Sequence, residues 1–308
     1  MNNPVHILGL VAAAGLSGAT AVAFWGRRRY RNDLWANIWD RMVGWWQIVA
    51  VLGVALWAGR AATLALFGIV SELALREFIT IAPTARPDYR TLVWMFYVAI
   101  PLQYLLLGLE WYGLFIVFVP VYGFLLLSAR NAAAYGTGDP AGFLARTSAI
   151  FWGQMLCIYC VSHIPAFLTL TVPGTSGLRL LLFVILVTQL SDVAQYIWGK
   201  TCGRRKVAPG ISPNKTVEGM VGGIATITLT SPGLCFMTGL SWRWTMGLTL
   251  VATMLGFYGG LVMSAIKRDR RIKDWGNVIQ GHGGVLDRID SLVFAAPVVF
   301  HLVRYYLV

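Results

Sequence analysis

The chain contains few charged residues, and acidic ones are especially scarce. Asp, Glu, Lys and Arg make up 12% of its 308 residues, with 13 acidic against 25 basic side chains. Soluble globular domains carry about 25% charged residues, so this composition excludes an ordinary soluble protein. Hydrophobic residues account for 57% of the chain, and the mean hydropathy is +0.66. We therefore predict an integral membrane protein.

Cysteine is also scarce, and the 4 cysteines do not indicate a disulfide framework. Cys157 and Cys160 have the C-x2-C spacing of zinc ligands, but they lie in an apolar run and no second pair accompanies them. We interpret both as small buried hydrophobic residues.

Long apolar runs fill most of the sequence, and each is about 17 to 25 residues long, which is the length that crosses a bilayer as a helix. They predict an all-α polytopic bundle of about 9 to 10 transmembrane helices with a polar cavity facing the cytoplasm. We expect one integral membrane domain, with residues 1–190 mainly membrane spans and 191–308 a catalytic membrane region that holds two motif loops. The expected spans are residues 5–25, 43–59, 61–81, 91–108, 111–129, 147–169, 178–198, 219–239, 244–266 and 289–307.

The basic residues fall mainly on one side of this bundle. If the N-terminus lies outside, only Arg60, Arg179, Arg243 and Arg304 are in outer loops, and the inner loops hold nearly all the rest. The positive-inside rule then places both motif loops on the cytoplasmic face. We expect a bacterial inner (cytoplasmic) membrane protein, and we assign the net charge of +12 to topology, not to nucleic acid binding. Arginines follow the first apolar run and none precedes it, as in an N-out anchor and not a cleaved signal peptide.

The third span is unusual because it carries Glu72, Arg76 and Glu77. The spacing of Glu72 and Arg76 allows an intrahelical ion pair. Either a structural pair facing the bundle interior or a contribution to a polar cavity would explain these charges.

The first motif loop covers residues 191–223. Asp192 lies near the end of an apolar span, where an unpaired carboxylate is costly, so it needs a metal, a water-filled cavity or an ion pair with a loop cation. Residues 212–218 resemble a capped helix start with Glu218 in the first turn. The loop also carries cations of the kind that bind phosphates, namely Lys200, Arg204, Arg205, Lys206 and Lys215.

The second motif loop, residues 264–290, concentrates charge between two apolar runs. Ser264, Lys267, Arg268 and Arg271 have the spacing of one helix face. A snorkelling helix end on the positive side would explain the cations alone, but it does not explain the aspartates among them. Buried or membrane-adjacent charge of this density indicates a functional site.

The end of this loop favours phosphate chemistry with a metal. Asp287 and Asp290 are three residues apart, hence on one face if the segment is helical, and paired carboxylates suit Mg²⁺, which also takes oxygens from substrate phosphates. His282 and the pair Gly283 and Gly284 form a backbone-permissive segment where a ligand can approach closely. The residues indicate phosphoryl or nucleotidyl transfer at the cytoplasmic membrane surface.

The order of these residues resembles the signature of the phosphatidate cytidylyltransferases, also called CDP-diacylglycerol synthases. The chain has S-x-x-K-R-x4-K-D-x-G followed by H-G-G-x-x-D-R-x-D, and upstream D-x-x-x-Y-x-x-G and S-P-x-K-T-x-E-G. The similarity covers residues 191–290, whereas the N-terminal half matches mainly in hydropathy. The chain departs from the family pattern at Gly260, where many bacterial members have Asp, and at Gln280 and Val217.

The resemblance implies that the chain transfers CMP from CTP to phosphatidate with Mg²⁺ as cofactor and acts as a homodimer. A cytidylyltransferase for a different lipid phosphate and a non-catalytic lipid or anion transporter are the alternatives. The expected metal ligands are Asp287 and Asp290, with Asp192 as a further candidate. The expected catalytic residues are Lys267, Arg268, Lys273, Asp274, His282 and Arg288. The expected substrate-binding residues are Ser212, Lys215, Thr216, Glu218, Ser264, Gly283 and Gly284.

Overall fold

The computed structural model describes residues 17–18, 20–21, 23–30, 33–135, 140–276 and 283–307. His282 and Gln280, which the sequence singled out, lie outside these residues. The described part of the chain is helical apart from one two-stranded hairpin. This confirms the prediction of an all-α architecture.

Nine long helical runs follow one another between residues 33 and 307 of the described chain. Three of them are α-helical runs interrupted by a π-helical segment, at Met95–Ala99, Phe118–Gly123 and Gln154–Cys160. The runs are α1 (Asp33–Ala58), α2 (Arg60–Ile81), α3 (Arg86–Gly108), α4 (Tyr112–Ala134), α5 (Phe143–Thr169), α6 (Gly177–Thr201), α7 (Val217–Thr238), α8 (Trp242–Asp269) and α9 (Leu286–Leu307).

Seven of the described helices are long and apolar enough to cross a membrane, namely α3 to α8 and the Ile38–Ala58 part of α1. Helices α2 and α9 have 22 residues each, which is about 33 Å at the rise of an α-helix, but both carry several charges. The predicted spans from 43–59 onward agree with these helices to within a few residues, except that α1 begins earlier. The predicted span 5–25 lies largely outside the described residues. The chain is therefore an integral membrane protein.

The C-terminal helices α6 to α9 pack together and form the frame of the site. Helix α6 packs along α7, and α8 packs along α9, with further contacts between α6 and α8. Glycine permits the closest approaches: a Cβ on Gly223 of α7 would lie 2.6 Å from the backbone N of Gln195 on α6. Helices α2 and α5 attach the N-terminal half to this frame, since α5 contacts both α2 and α9.

Two interpretations from the sequence concern side chains within the helices, namely the Glu72 and Arg76 pair of α2 and the two cysteines of α5. Glu72 and Arg76 are both exposed, and the ion pairs of the described residues do not join them, so of the two alternatives for these charges the inward-facing structural pair is not found there. Cys157 is buried and Cys160 is half-buried, and both are free thiols. This agrees with their interpretation as small hydrophobic residues.

Candidate active site

The first motif loop folds as a hairpin at the start of α7. Strand β1 (Lys206–Ala208) pairs antiparallel with β2 (Ser212–Thr216). Thr216 caps α7, because its Oγ1 accepts a hydrogen bond of 3.1 Å from the backbone N of Gly219. The carboxylate of Glu218 accepts hydrogen bonds from the backbone N of Arg204 and Arg205 at 2.9 and 3.1 Å. The capped helix start is thus confirmed, and these two side chains fix the hairpin to the helix.

A cavity of 310 Å³ lies where this hairpin meets helices α6, α8 and α9. Asp192 from α6, Lys215 from β2 and Asp290 from α9 share its wall with Gly260 from α8. Both motif loops therefore contribute to one polar cavity, although two membrane helices separate them in sequence. The other lining residues are Gln195, Tyr196, Ser212, Asn214, Thr216, Gly219, Met220 and Phe257.

Lys215 is the cation of this cavity wall. Its Nζ donates a hydrogen bond of 3.2 Å to the backbone O of Phe257 and lies 4.7 Å from the centroid of that ring. Burial lowers the pKa of Lys215 below its usual value, and the carboxylates of Asp290 and Asp192 act against that shift. An ammonium held in this way can attract an anionic group that enters the cavity.

Asp287 belongs to a buried ion pair beside the cavity. Its Oδ1 lies 2.6 Å from Lys267 Nζ, and the two side chains are only 6% and 11% exposed. Its Oδ2 accepts hydrogen bonds from the backbone N of Trp275 at 2.9 Å and of Gly284 at 3.0 Å. Gly283 adopts φ 80°, and a Cβ there would lie 2.8 Å from Asp287 Oδ2. The two glycines therefore let the chain fold closely around this carboxylate.

The three aspartates expected to bind metal are divided between two environments. Asp192 and Asp290 lie on the cavity wall, whereas Asp287 is bonded to Lys267 and to the loop backbone. Among the residues that the structure describes, no three His, Cys, Asp or Glu side chains form a group that could hold a metal. Mg²⁺ commonly uses one or two carboxylates and takes its other oxygens from phosphates and water. The pair Asp192 and Asp290 fits that donor set.

Ser264 and Arg268 of α8 both donate hydrogen bonds to backbone carbonyl oxygens. Ser264 Oγ donates a hydrogen bond of 2.7 Å to the backbone O of Gly260, one turn earlier. Arg268 donates to the backbone O of Ile272 at 2.9 Å and of Ile211 at 3.3 Å. Because Ile211 lies in the turn of the hairpin, Arg268 connects the two motif loops.

The remaining residues of the second motif differ in their surroundings. Lys273 and Asp274 are exposed on the loop after α8, and Arg288 is half-buried in the first turn of α9. Arg271 is not on the expected helix face, because α8 ends at Asp269 and Arg271 adopts φ 56°. His282 lies outside the described residues, so its expected role stays a prediction.

Glu77 of α2, one of the charged residues noted in the third span, contacts the start of α9, and the sequence did not predict this partner. Its Oε1 accepts a hydrogen bond of 2.8 Å from the backbone N of Val285, and its Oε2 one of 3.0 Å from that of Leu286. It is 7% exposed. The available signal was a carboxylate in an apolar span, which has a partner or a function by default.

A family model described as "Cytidylyltransferase family" matches residues 39–306. A protein of Escherichia coli (strain K12) named "Uncharacterized protein YnbB" is 43% identical over 267 residues, which cover 86% of this chain and 87% of that protein.

Several relatives have names that state a reaction. Proteins named "Phosphatidate cytidylyltransferase" are 33% identical in Staphylococcus aureus (strain COL) and 37% identical in Staphylococcus epidermidis (strain ATCC 12228 / FDA PCI 1200). Each alignment has 157 residues and covers 50% of this chain and 60% of the relative.

Proposed function

The chain belongs to the cytidylyltransferase family, and we propose that it transfers CMP from CTP to phosphatidate, forming CDP-diacylglycerol and pyrophosphate. Family membership identifies a membrane nucleotidyltransferase of lipid biosynthesis and argues against the alternative of a non-catalytic transporter. The choice of phosphatidate rests on the two named Staphylococcus relatives and on the motif resemblance.

One observation carries the proposal. A single cavity brings together a buried ammonium, Lys215, and two carboxylates, Asp192 and Asp290, from three different elements. This is the combination that a triphosphate and a divalent cation require, because the ammonium attracts phosphate oxygens and the carboxylates attract the cation. The 310 Å³ of the cavity lies at the lower end of ligand pockets, which hold about 300 to 1,000 Å³.

The reaction is an attack by a phosphate oxygen of the lipid on the α-phosphorus of CTP. A new P–O bond joins the lipid phosphate to CMP, and the bond between the α-phosphorus and its bridging oxygen to the β-phosphate breaks. That bridging oxygen leaves with pyrophosphate. The attacking lipid phosphate is already ionised, so no general base from the protein is required.

The cavity residues contribute binding and charge stabilisation to this step. Lys215 would neutralise charge that develops on the phosphates in the transition state. Asp192 and Asp290 would hold Mg²⁺, which when bound supplies Lewis-acid stabilisation of the phosphate oxygens. Asp287 would orient Lys267 through their ion pair, placing that ammonium at the edge of the same site.

The other motif residues would bind or shape the phosphate sites. Ser212 lies on the cavity wall, while Thr216 and Glu218 hold the hairpin that carries Lys215. Ser264, Gly283 and Gly284 would allow close approach of the phosphates to the second motif. Lys273, Asp274, His282 and Arg288, together with Arg268, would complete the charged surface of the second motif loop.

Orientation and assembly are proposed from the charge distribution and from the family resemblance. We infer that the protein lies in the bacterial inner membrane with its N-terminus outside and the cavity facing the cytoplasm, because the positive-inside rule places both motif loops there. We also propose a homodimer surrounded by membrane lipids, as the family resemblance implies, with no nucleic acid partner.

The decisive experiment is to incubate purified protein with labelled CTP, Mg²⁺ and separate lipid phosphates in detergent micelles. We expect labelled CDP-diacylglycerol and an equal amount of pyrophosphate with phosphatidate. A labelled product with another lipid phosphate only would identify a paralogous cytidylyltransferase. Absence of any CDP-lipid product, from protein shown to be folded, would contradict the proposed reaction.

A further inference from the structure

We propose that Glu77 is a positioning residue of the active site, which holds the start of α9 so that Asp287 and Asp290 take their working positions. The inference rests on the proposed function for what the site does. It concerns a residue of the N-terminal half, outside both motif loops.

The contacts of Glu77 are specific to one helix end. The first backbone N–H groups of a helix have no partner inside the helix and carry a partial positive charge. Glu77 supplies both oxygens of its carboxylate to two of these groups, from Val285 and Leu286. Asp287 follows directly, and Asp290 lies one turn further along α9, so the carboxylate of Glu77 fixes the point from which both extend.

Glycines on either side of the loop make room for this carboxylate. A Cβ on Gly284 would lie 2.5 Å from Oε2 of Glu77, and one on Gly276 would lie 3.1 Å from its Oε1. Both distances are shorter than ordinary contacts of a Cβ, so larger residues would displace the Glu77 carboxylate. Two separate segments of the second motif loop, at Gly276 and at Gly284, therefore pack against the same side chain.

The neighbouring residue strengthens this attachment. Phe78 stacks on Trp275 with ring centroids 5.5 Å apart and an interplanar angle of 22°. Trp275 also donates its backbone N–H to Asp287 Oδ2. Helix α2 thus contacts the second motif loop in two ways. Phe78 packs on Trp275, which donates a hydrogen bond to Asp287, and the Glu77 carboxylate accepts hydrogen bonds from the two residues just before Asp287.

Glu72 provides a matched control on the same helix. It is a carboxylate as well, but it is exposed, and among the described residues it does not take part in the contacts that Glu77 makes. A change of charge at Glu72 tests for general effects of removing a carboxylate from α2. A change at Glu77 tests the contact with α9.

The experiment compares Glu77→Gln, Glu77→Ala and Glu72→Gln with the unaltered protein in membranes and in detergent. Turnover is measured per folded molecule, with KM for CTP and for the lipid phosphate, and hydrogen exchange is measured for peptides that cover residues 283–290. A misplacement of about 1 Å can cost about a hundredfold in rate. We expect kcat to fall about ten- to a hundredfold in Glu77→Ala and less in Glu77→Gln, because Gln keeps one oxygen acceptor.

Hydrogen exchange distinguishes positioning from a general loss of stability. We expect faster exchange at Val285 and Leu286, and an unchanged KM for CTP, in both Glu77 variants. Glu72→Gln should match the unaltered protein in exchange and in kcat. Normal kcat per folded molecule, with a loss only of folded protein, would overturn the inference. Unchanged exchange at the start of α9 would do the same.

The two proposals fail in different ways. If the unaltered protein forms no CDP-lipid, the proposed function fails, while the exchange measurement still reports whether Glu77 holds the start of α9. If the unaltered protein is active and Glu77→Ala keeps its kcat, the positioning role alone fails.

Discussion

The ammonium of Lys267 lies 2.6 Å from Oδ1 of Asp287, and this ion pair joins the last turn of α8 to the first turn of α9. The two residues lie 20 positions apart within the second motif loop. Both side chains are nearly buried. Removing either one therefore leaves the other charge buried without its partner, which destabilises the folded protein. The pair therefore couples the stability of the helix frame to the geometry of the site.

Asp287→Ala should lose both activity and stability. The substitution leaves the Lys267 ammonium buried without its partner, a change that costs about 3 to 5 kcal/mol in buried pairs. We expect CTP-dependent formation of CDP-lipid to fall below detection and the midpoint of thermal unfolding to drop. Retained full activity in folded Asp287→Ala protein would exclude a role for this carboxylate in the reaction.

Two further variants separate the ion pair from other effects. Asp287→Ala combined with Lys267→Met removes both charges, so the double variant should be more stable than Asp287→Ala alone. Asp269→Ala is the surface control, since the Asp269 side chain is 71% exposed and forms an ion pair with the adjacent Arg270. Exposed pairs of this type contribute about 0 to 1 kcal/mol, and we expect little change.

Lys215 should limit activity at alkaline pH. Burial lowers its pKa, so the ammonium loses its proton at a lower pH than an ordinary lysine would. Phosphate binding needs the charged form, and kcat/KM for CTP should therefore decline as pH rises through this lowered pKa. Lys215→Arg keeps its charge to much higher pH and should move the alkaline limb upward, even if its maximal rate is lower. An unchanged alkaline limb in an active Lys215→Arg protein would assign that limb to another group.

The carboxylates Asp192 and Asp290 should determine the requirement for Mg²⁺. We expect EDTA to abolish CDP-lipid formation and added Mg²⁺ to restore it. Asp192→Asn and Asp290→Asn should each raise the Mg²⁺ concentration for half-maximal activity, by about tenfold or more. Asp269→Asn, at the exposed end of α8, should leave that concentration unchanged. Activity that persists in EDTA, or an unaltered Mg²⁺ requirement in both cavity variants, would contradict the assignment.

The helices of this protein were predictable because their length and apolar composition are set locally. The run predicted at 178–198 is the helix Gly177–Thr201, and the polar residues that end it are visible in the sequence. The helix start at Thr216 was also predictable, because capping depends on residues within one turn.

The parts that could not be predicted depend on contacts between distant residues or on backbone conformation. Arg271 follows the helical spacing but lies beyond the end of α8 with φ 56°, so periodicity placed it wrongly. The strands of the hairpin have 3 and 5 residues and no alternating apolar pattern. Glu77 contacts residues more than 200 positions away, and no local pattern identifies such a partner.

Gly259 and Gly260 are adjacent in α8, but their substitution should have different effects. A Cβ on Gly259 would lie 2.8 Å from Cβ of Phe294 and 2.9 Å from the backbone O of Asp290, both on α9. A Cβ on Gly260 would instead lie 2.8 Å from Lys215 Nζ, the far end of a flexible side chain. Gly259→Ala must therefore separate two packed helices, whereas Gly260→Ala must only displace an ammonium.

We expect Gly259→Ala to lower the midpoint of thermal unfolding, at a cost of about 1 to 3 kcal/mol for overpacking. Gly260→Ala should keep near-normal stability but lose about tenfold in kcat/KM, since the displaced Lys215 ammonium no longer occupies its position beside Asp290. Thermal unfolding and CTP kinetics on the two purified variants test both statements. Equal loss of stability in the two variants would show that Gly260 is a packing residue as well, and normal kinetics in Gly260→Ala would show that the position of Lys215 does not limit the reaction.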